Sequence, residues 1–577
     1  MLTKLLSLTI FITFYCTGFA QLYVGGDHYI FASDAQLFVT QEVELRDANS
    51  NLYLRDGAQL LQDASVGNLG LGELSVQQTG TVNQFAYNYW CSPIGGSTVA
   101  AGNTTFRVEL IDEPTGLISS DDVGFTTAFN SIASPLQISD RWLYTFVQAT
   151  NYTQWTYVGR NGAIAPGLGF TMKGVGTAPM GNQVYDFRGK PNNGDIPNPV
   201  ATGAFTLIGN PYPSALDAAL FINDPVNADI SGELYFWEQQ QGAASHFIAD
   251  YIGGYATLTY NSAFVENFVP ATFSTYDSAG NPVAVPPGPG GTKFAQRYQP
   301  IGQGFLVRGS NDGNVTVKNE HRAFVQLGPD SFFFRNTETQ IPNDEDIFYQ
   351  IPEDYKRFRI NVDFNNLYTR QLLHNFHHTA TDGFDRGLEG HRPGGPASDA
   401  FWILEDDKFV IQAHSFDESL RIPLVVNAEN NQPLRFRILD VQHFDDQPIY
   451  LYDNASNIYV DLKSQHYDIN IEAGYYPNRF EITFNRGTLS NDEFQISDFR
   501  IVQNNTAQEL QLFNNKLLDI RSFQLIDVSG KTVLKQASLG NANEFTFSTS
   551  KLSEGVYIAN IALTNGGSIS QKIIITN

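Results

Sequence analysis

Two cysteines in 577 residues leave this chain without a disulfide framework. Cys16 lies in a stretch that reads as a removable export signal, so the mature chain keeps only Cys91, and one thiol makes no internal bridge. Stability must therefore come from buried apolar surface and sheet hydrogen bonds. Cys91 stands in Tyr89-Trp90-Cys91-Ser92-Pro93, with no base near it in sequence, which points to a core thiol rather than a nucleophile. Charge is also scarce. Charged residues are 16% of the chain, below the usual quarter, which excludes disorder driven by charge. Basic residues are the scarcer kind, 35 Lys+Arg against 60 Asp+Glu, for a net charge of −25. That balance excludes the basic footprint needed for nucleic acid and for polybasic docking on an anionic membrane. Past residue 20 no stretch is long and apolar enough for a transmembrane helix. Catalytic motifs are missing as well: there is no Gly-x-Ser-x-Gly and no His-Glu-x-x-His. Ser548-Thr549-Ser550-Lys551 lies in strand context without partner motifs, and Gly530-Lys531-Thr532 has Leu525 where a phosphate loop needs glycine. These absences point away from an enzyme. A glycoside hydrolase stays open, because its paired carboxylates leave no linear motif.

What is present favours strands. Apolar residues reach 42%, enough for a real core, and aromatics reach 13%, mostly Phe and Tyr, which fit pleated, half-buried surfaces. The expected fold class is all-β, as several consecutive domains. Residues 1–20 read as a signal peptide: Lys4, an apolar run from Leu5 to Tyr15, and the small residues Gly18 and Ala20 before Gln21. Residues 21–85 carry closely spaced short apolar runs, from Ala35–Val39 to Gly72–Val76, which predict stacked rungs of a solenoid-like sheet. Residues 86–340 form a β-rich middle with one helix-like piece, Ala215 to Phe221, capped by Ser214 with Asp217 near its start. Residues 281–293, rich in Pro and Gly, read as an exposed loop, and Asn210-Pro211-Tyr212-Pro213 as a rigid corner. After a break at 341–346, residues 346–485 are sandwich-sized, and Phe358, Ile360, Val362 and Phe364 alternate with polar residues as in a half-buried strand. A polar break at 486–493 leads to a last block, 495–577. There Tyr557, Ala559, Ile561 and Leu563 face Ile569, Ile573 and Ile575 across an Asn565-Gly566-Gly567 turn, and an Ig-like sandwich follows.

This last block resembles the C-terminal sorting domain (type A-like) of the type IX secretion system. The resemblance rests on Asp527-Val528-Ser529-Gly530-Lys531-Thr532-Val533, on Leu552-Ser553-Glu554-Gly555-Val556-Tyr557-Ile558, and on Gly567-Ser568-Ile569-Ser570-Gln571-Lys572-Ile573-Ile574. Its motif residues are Gly530, Lys531, Gly555, Val556, Tyr557 and Lys572. It implies passage through the periplasm, export by the type IX machinery, and release or attachment to surface lipopolysaccharide. The middle resembles uncharacterised cargo proteins of the same system, in Gly189-Lys190-Pro191-Asn192-Asn193-Gly194, Leu207-Ile208-Gly209-Asn210-Pro211-Tyr212-Pro213-Ser214 and Gly302-Gln303-Gly304-Phe305-Leu306-Val307. That resemblance implies no activity.

The functional expectation is an exported surface or extracellular protein of adhesin or surface-layer type. A second reading is a carbohydrate-binding protein. Trp142, Trp155, Trp237 and Trp402 would stack on a sugar face where exposed, although aromatics at strand spacing are more often core. Surface lipopolysaccharide or extracellular polysaccharide would then be the partner. Asp382 and Asp385, in Asp382-Gly383-Phe384-Asp385, read as a turn that places two carboxylates near a calcium ion. His374, His377 and His378 cluster in sequence. On a strand, His374 and His378 share a face roughly 13 Å apart, too far for one metal. Asp277-Ser278-Ala279 resembles a short bacterial O-glycosylation acceptor.

Overall fold

The computed structural model describes residues 21–176, 183–240, 242, 244–284, 290–326, 349–486, 499–564 and 568–576. The export signal at 1–20, the break at 341–346, nearly all of the polar break at 486–493 and the turn at 565–567 lie outside the described residues. The chain is all-β, organised as two compact units, Met1–Asn485 and Arg486–Asn577.

The first unit opens with short parallel rungs. Parallel pairs join Leu22–Val24 to Val43–Leu45 and Gln36–Val39 to Gln59–Gln62, and Tyr29–Ser33, Asn51–Arg55 and Glu73–Gly80 run parallel side by side. Tyr29 pairs with Asn51, and Asn51 with Glu73, so each coil returns one strand above the last. Val43, Leu45, Leu52, Leu54, Leu60 and Leu74 fill the coil and are buried. The coil does not end on a free edge. Glu73–Gly80 also pairs antiparallel with Gln183–Pro191, within one seven-stranded sheet. This covers a parallel strand that would otherwise offer its backbone to another chain.

Beyond it, Thr156–Tyr157, Tyr144–Thr145, Gly169–Lys173 and Tyr87–Cys91 make a four-stranded antiparallel sheet. A second seven-stranded sheet is built on Phe205–Gly209, Gly304–Gly309, Ile230–Gln239 and Ile252–Tyr260. The Asn210 corner forms as expected, its Nδ2 donating to the carbonyls of Ser214, Gln299 and Pro300. Two expectations in this region are corrected. Ala215–Asp217 is a strand, and the helix is the shorter Ala218–Asn223 capped by Asp217, whose Oδ1 accepts from the Ala219 and Leu220 amides. Pairing of Leu216 with Gln299 and Arg322 outweighs Ser214 as a cap. Within 281–293, Pro282–Ala284 pairs with Ser274–Tyr276 at the sheet edge, where proline is tolerated because no ladder donor is needed on the open side.

Residues 356–483 supply an eleven-stranded sheet on one core, which takes in Leu451 from near one end and Leu434 from near the other. Its strand Lys356–Phe364 corrects the half-buried expectation. Phe358, Ile360, Val362 and Phe364 fill the core, and Arg357, Arg359 and Asn361 on the opposite face are buried too. Arg357 donates to the Glu266 carbonyl (2.7 Å) and to Asn267 Oδ1 (2.5 Å), and Arg359 donates to the Phe268 carbonyl (2.5 Å). The polar face of this strand therefore seats on the Glu266–Val269 strand rather than in water.

The second unit is a seven-stranded sandwich among the described residues. Phe499–Asn504, Glu509–Asn514 and Glu544–Ser548 form one sheet, and Ile520–Asp527, Thr532–Gly540, Gly555–Leu563 and Ser568–Ile575 the other. Phe523 and Phe547 stack between the sheets, 4.4 Å apart and 10° from parallel. Tyr557 pairs with Ile573 in the expected hairpin and donates its hydroxyl to the Ser553 carbonyl (2.8 Å).

Candidate binding cleft

Side chains two apart on a strand share a face. Tyr87 and Tyr89 on Tyr87–Cys91, and Tyr235 and Trp237 on Ile230–Gln239, send four rings towards one cleft of about 530 Å³. Trp90 and Cys91 are fully buried in the core. Tyr144 joins from the strand Tyr144–Thr145, Trp142, Phe146, Tyr152 and Trp155 from the connections of the four-stranded sheet, Tyr255 and Tyr276 from the strands beyond Trp237, and Tyr251 from just before the first of these. Two glycines make room. A Cβ on Gly253 would come within 2.6 Å of the Trp237 ring, and one on Gly280 within 2.3 Å of Tyr152. Tyr152 is presented on a short turn whose start is fixed by Asn151 and Gln154, Asn151 Oδ1 accepting from the Thr153 amide (3.1 Å) and Gln154 Oε1 from the Asn151 amide (3.0 Å).

The rings brace one another. Trp155 lies 4.5 Å from Phe146, and Trp237 lies 5.1 Å from Tyr255, its direct cross-strand partner. Tyr89 Oη and Tyr255 Oη meet at 2.7 Å, joining the two sheets by a hydrogen bond. Among the described residues, Trp237 Nε1 and Tyr235 Oη are buried at the lining without a hydrogen-bond partner. Thr150, Asn151, Thr153, Ser274 and Asn281 add neutral polar groups. Arg370 is the lone charged side chain on the described lining, and Asp399 holds it in a two-bond clamp at 2.7 and 2.8 Å.

At one end, the buried Lys173 ammonium packs against Trp142, Tyr87 and Tyr251, with Nζ 3.9, 4.7 and 4.8 Å from the ring centroids. It donates to Tyr251 Oη (2.7 Å) and meets His246 Nδ1 (3.1 Å). Burial lowers the Lys173 amine to about 7. Burial first, and then the Lys173 charge, lowers His246 to about 4, so that imidazole is neutral at physiological pH. Burial also raises Tyr87, Tyr89, Tyr235, Tyr251 and Tyr276, and pushes Tyr255 up to about 12. Apart from Arg370, clamped by Asp399, the described lining is uncharged hydroxyls, amides and ring faces, the chemistry for a neutral, polar ligand with flat apolar faces.

Three of the four tryptophans read from the sequence meet in this cleft. Trp402 does not. It is fully buried in the eleven-stranded core, its Nε1 donating to the Leu373 carbonyl (3.1 Å). Sequence reasoning did not find the tyrosines of the lining or Lys173. Their parity was visible, as in Tyr87 and Tyr89, but not which sheet each face would meet. Asp385 serves a turn: Thr381 donates to it through its amide (2.5 Å) and its hydroxyl (3.1 Å), and Asp382 is exposed. His374 lies on the strand Tyr368–Phe376, buried, 3.0 Å from His414 Nδ1. In the second unit Gly530 takes a left-handed turn (φ +85°), with Asp527 Oδ1 accepting from the Ser529 and Lys531 amides. Gly555, Val556 and Lys572 lie on the paired strands Gly555–Leu563 and Ser568–Ile575, with Lys572 exposed.

A family model described as "Domain of unknown function (DUF8693)" matches residues 119–484, and one described as "Secretion system C-terminal sorting domain" matches residues 480–576. No curated protein matches. Solved structures similar to the chain include a DUF3244 family protein with an immunoglobulin-like β-sandwich fold from Bacteroides vulgatus. It is 16% identical with a TM-score of 0.13, covering 14% of this chain and 84% of that one. Tp47, the 47-kilodalton lipoprotein of Treponema pallidum, is 9% identical with a TM-score of 0.13, covering 63% and 92%. The BSP domain of a biofilm associated protein is 8% identical with a TM-score of 0.12, covering 87% and 96%. The sorting tail marks the chain as type IX secretion cargo, which engages that machinery and is carried to the cell surface or extracellular space. No described helix is long and apolar enough to cross a membrane.

Proposed function

The chain belongs to the DUF8693 family, and from that premise we propose that it is an adhesin-type exported protein that holds a neutral glycan in its aromatic cleft. One observation carries the reading: Trp142 and Trp155, and the distant Trp237 from another sheet, line a single cleft with a ring of tyrosines. The apolar faces of a sugar ring stack on indole and phenol faces, and its hydroxyls pair with the neutral polar rim. The volume lies in the range of about 300–1,000 Å³ typical of small-ligand sites. The partnerless Trp237 Nε1 and Tyr235 Oη support a ligand, since a buried polar group without a partner costs about 1–3 kcal/mol. The scarcity of charge on the lining favours neutral sugars over uronic acids or sulfated chains. Extracellular polysaccharide and surface lipopolysaccharide are the partners an exported protein would meet.

The test is a glycan array and affinity electrophoresis with the secreted protein, beside Trp155→Ala and Trp237→Ala. Binding to neutral glycans that falls at least tenfold in both variants, with near-UV circular dichroism retained, is the expected result. No glycan retained by the wild type, or binding untouched by both substitutions, overturns the reading.

A further inference from the structure

The strand Tyr368–Phe376 ends one residue before His377, and the turn that follows no longer alternates its side chains. His377 and His378, which a continued strand would point to opposite faces, come together with ring centroids 4.1 Å apart. Asp354, from the turn leading into Lys356–Phe364, reaches the same place. One donor atom from each of Asp354, His377 and His378 lies within 4.8 Å of the others.

From this geometry we propose that Asp354, His377 and His378 bind a divalent transition-metal ion of the zinc class, with further positions left to water. Two donors each about 2.1 Å from a tetrahedral ion stand roughly 3.4 Å apart. His377 Nε2 and Asp354 Oδ2 are 3.4 Å apart. That separation is long for a direct hydrogen bond, which prefers about 2.7–3.2 Å. His377 is also held as ligating histidines are held. Its Nδ1 faces Thr379 Oγ1 at 2.7 Å, and its ring stacks on Tyr355 at 4.0 Å and 11°. Thr379 presents its hydroxyl (2.7 Å) and its amide (3.4 Å) to Nδ1; in the tautomer that donates the Nδ1 proton to the hydroxyl, Nε2 offers its lone pair to a cation beside the carboxylate. The frame behind it is fixed. The His377 amide donates to the His414 carbonyl (3.1 Å), and Asn261 Nδ2 donates to Tyr355 Oη (2.7 Å). Asp354 and His378 are exposed, so an ion has access and small rotations complete the site. Two imidazoles and one carboxylate suit zinc, nickel or copper rather than calcium, which takes six or more oxygens. The site differs from the His374–His378 pair that sequence spacing excludes. Only the end of the strand makes it.

Untagged protein, stripped with a chelator and dialysed, is titrated with zinc chloride by calorimetry, with calcium chloride as the contrast. The variants are His378→Ala, Asp354→Asn and their double substitution, all at exposed positions, with thermal unfolding in chelator as the check on folding. One equivalent of zinc bound at micromolar or tighter concentration is expected, at least tenfold weaker in each single variant and lost in the double. Cobalt loaded into the wild type should give visible absorption that the double variant lacks. No zinc bound by the wild type, or unchanged stoichiometry and affinity in the double variant, overturns the proposal.

Discussion

The Lys173 ammonium lies 3.9 Å from the centre of the Trp142 ring, and that ring stacks on His246 at 5.0 Å and 11°. Ring faces favour the charged amine, and burial opposes it. Burial is the larger effect and lowers the amine to about 7.

A pH dependence of stability follows from Lys173. The unfolded chain keeps this amine protonated up to its ordinary value of 10.5, and the folded chain releases the proton from about 7. Between those values the unfolded state binds more protons, so stability gains with rising pH. Lys173→Met removes that gain. In urea unfolding the variant should match or exceed the wild type at pH 7, and its advantage should shrink towards pH 10, by up to about 1.4 kcal/mol per pH unit.

Glu389 gives the opposite sign. Burial raises its carboxyl from 4.5 to about 8, although the Asp385 (2.6 Å) and Ala413 (3.2 Å) amides donate to it. Between 4.5 and about 8 the folded state binds the extra proton, so stability is fullest below 4.5 and is lost as pH rises through the folded value. Glu389→Gln should flatten that decline, again by up to about 1.4 kcal/mol per pH unit. Urea midpoints at pH 5, 6.5 and 8.5 check it.

Arg357 crosses from the eleven-stranded sheet to Glu266 and Asn267. Arg357→Ala takes a donor from the buried Glu266 carbonyl and from Asn375 Oδ1 (2.8 Å), while Asn267 Oδ1 keeps Asn375 Nδ2, and should cost about 2–4 kcal/mol. The measurement is the urea midpoint at constant slope. A variant as stable as the wild type would show that this junction contributes little.

In the tail, Phe523→Ala removes one of two stacked rings from a small core and should destabilise that unit by about 3–5 kcal/mol. Deleting residues 500–577 should trap the protein in the periplasm, and Phe523→Ala should lower the surface fraction. Fractionation with an antibody to the first unit checks both. Normal delivery of the deletion would refute the tail as the export address.

Local pattern determined much of this molecule. Alternation specified the tail hairpin around Tyr557, and the Gly530 turn and Gly555-Val556-Tyr557 segment marked the sorting tail. Each is set by neighbours a few residues apart, through side-chain parity, turn chemistry and burial of one face. Tertiary structure alone decided the rest. Trp237 and Trp402 look alike in sequence, yet one lines a cleft and the other is sealed in a core, because strand parity does not say what a face will meet. The polar face of Lys356–Phe364 reads as solvent-facing, and lies buried because Arg357 and Arg359 find carbonyls about ninety residues away in sequence. Asp354, His377 and His378 converge only because one strand stops where it does. Such juxtapositions depend on which distant surfaces pack together, and the free energy that selects them belongs to no single stretch of chain.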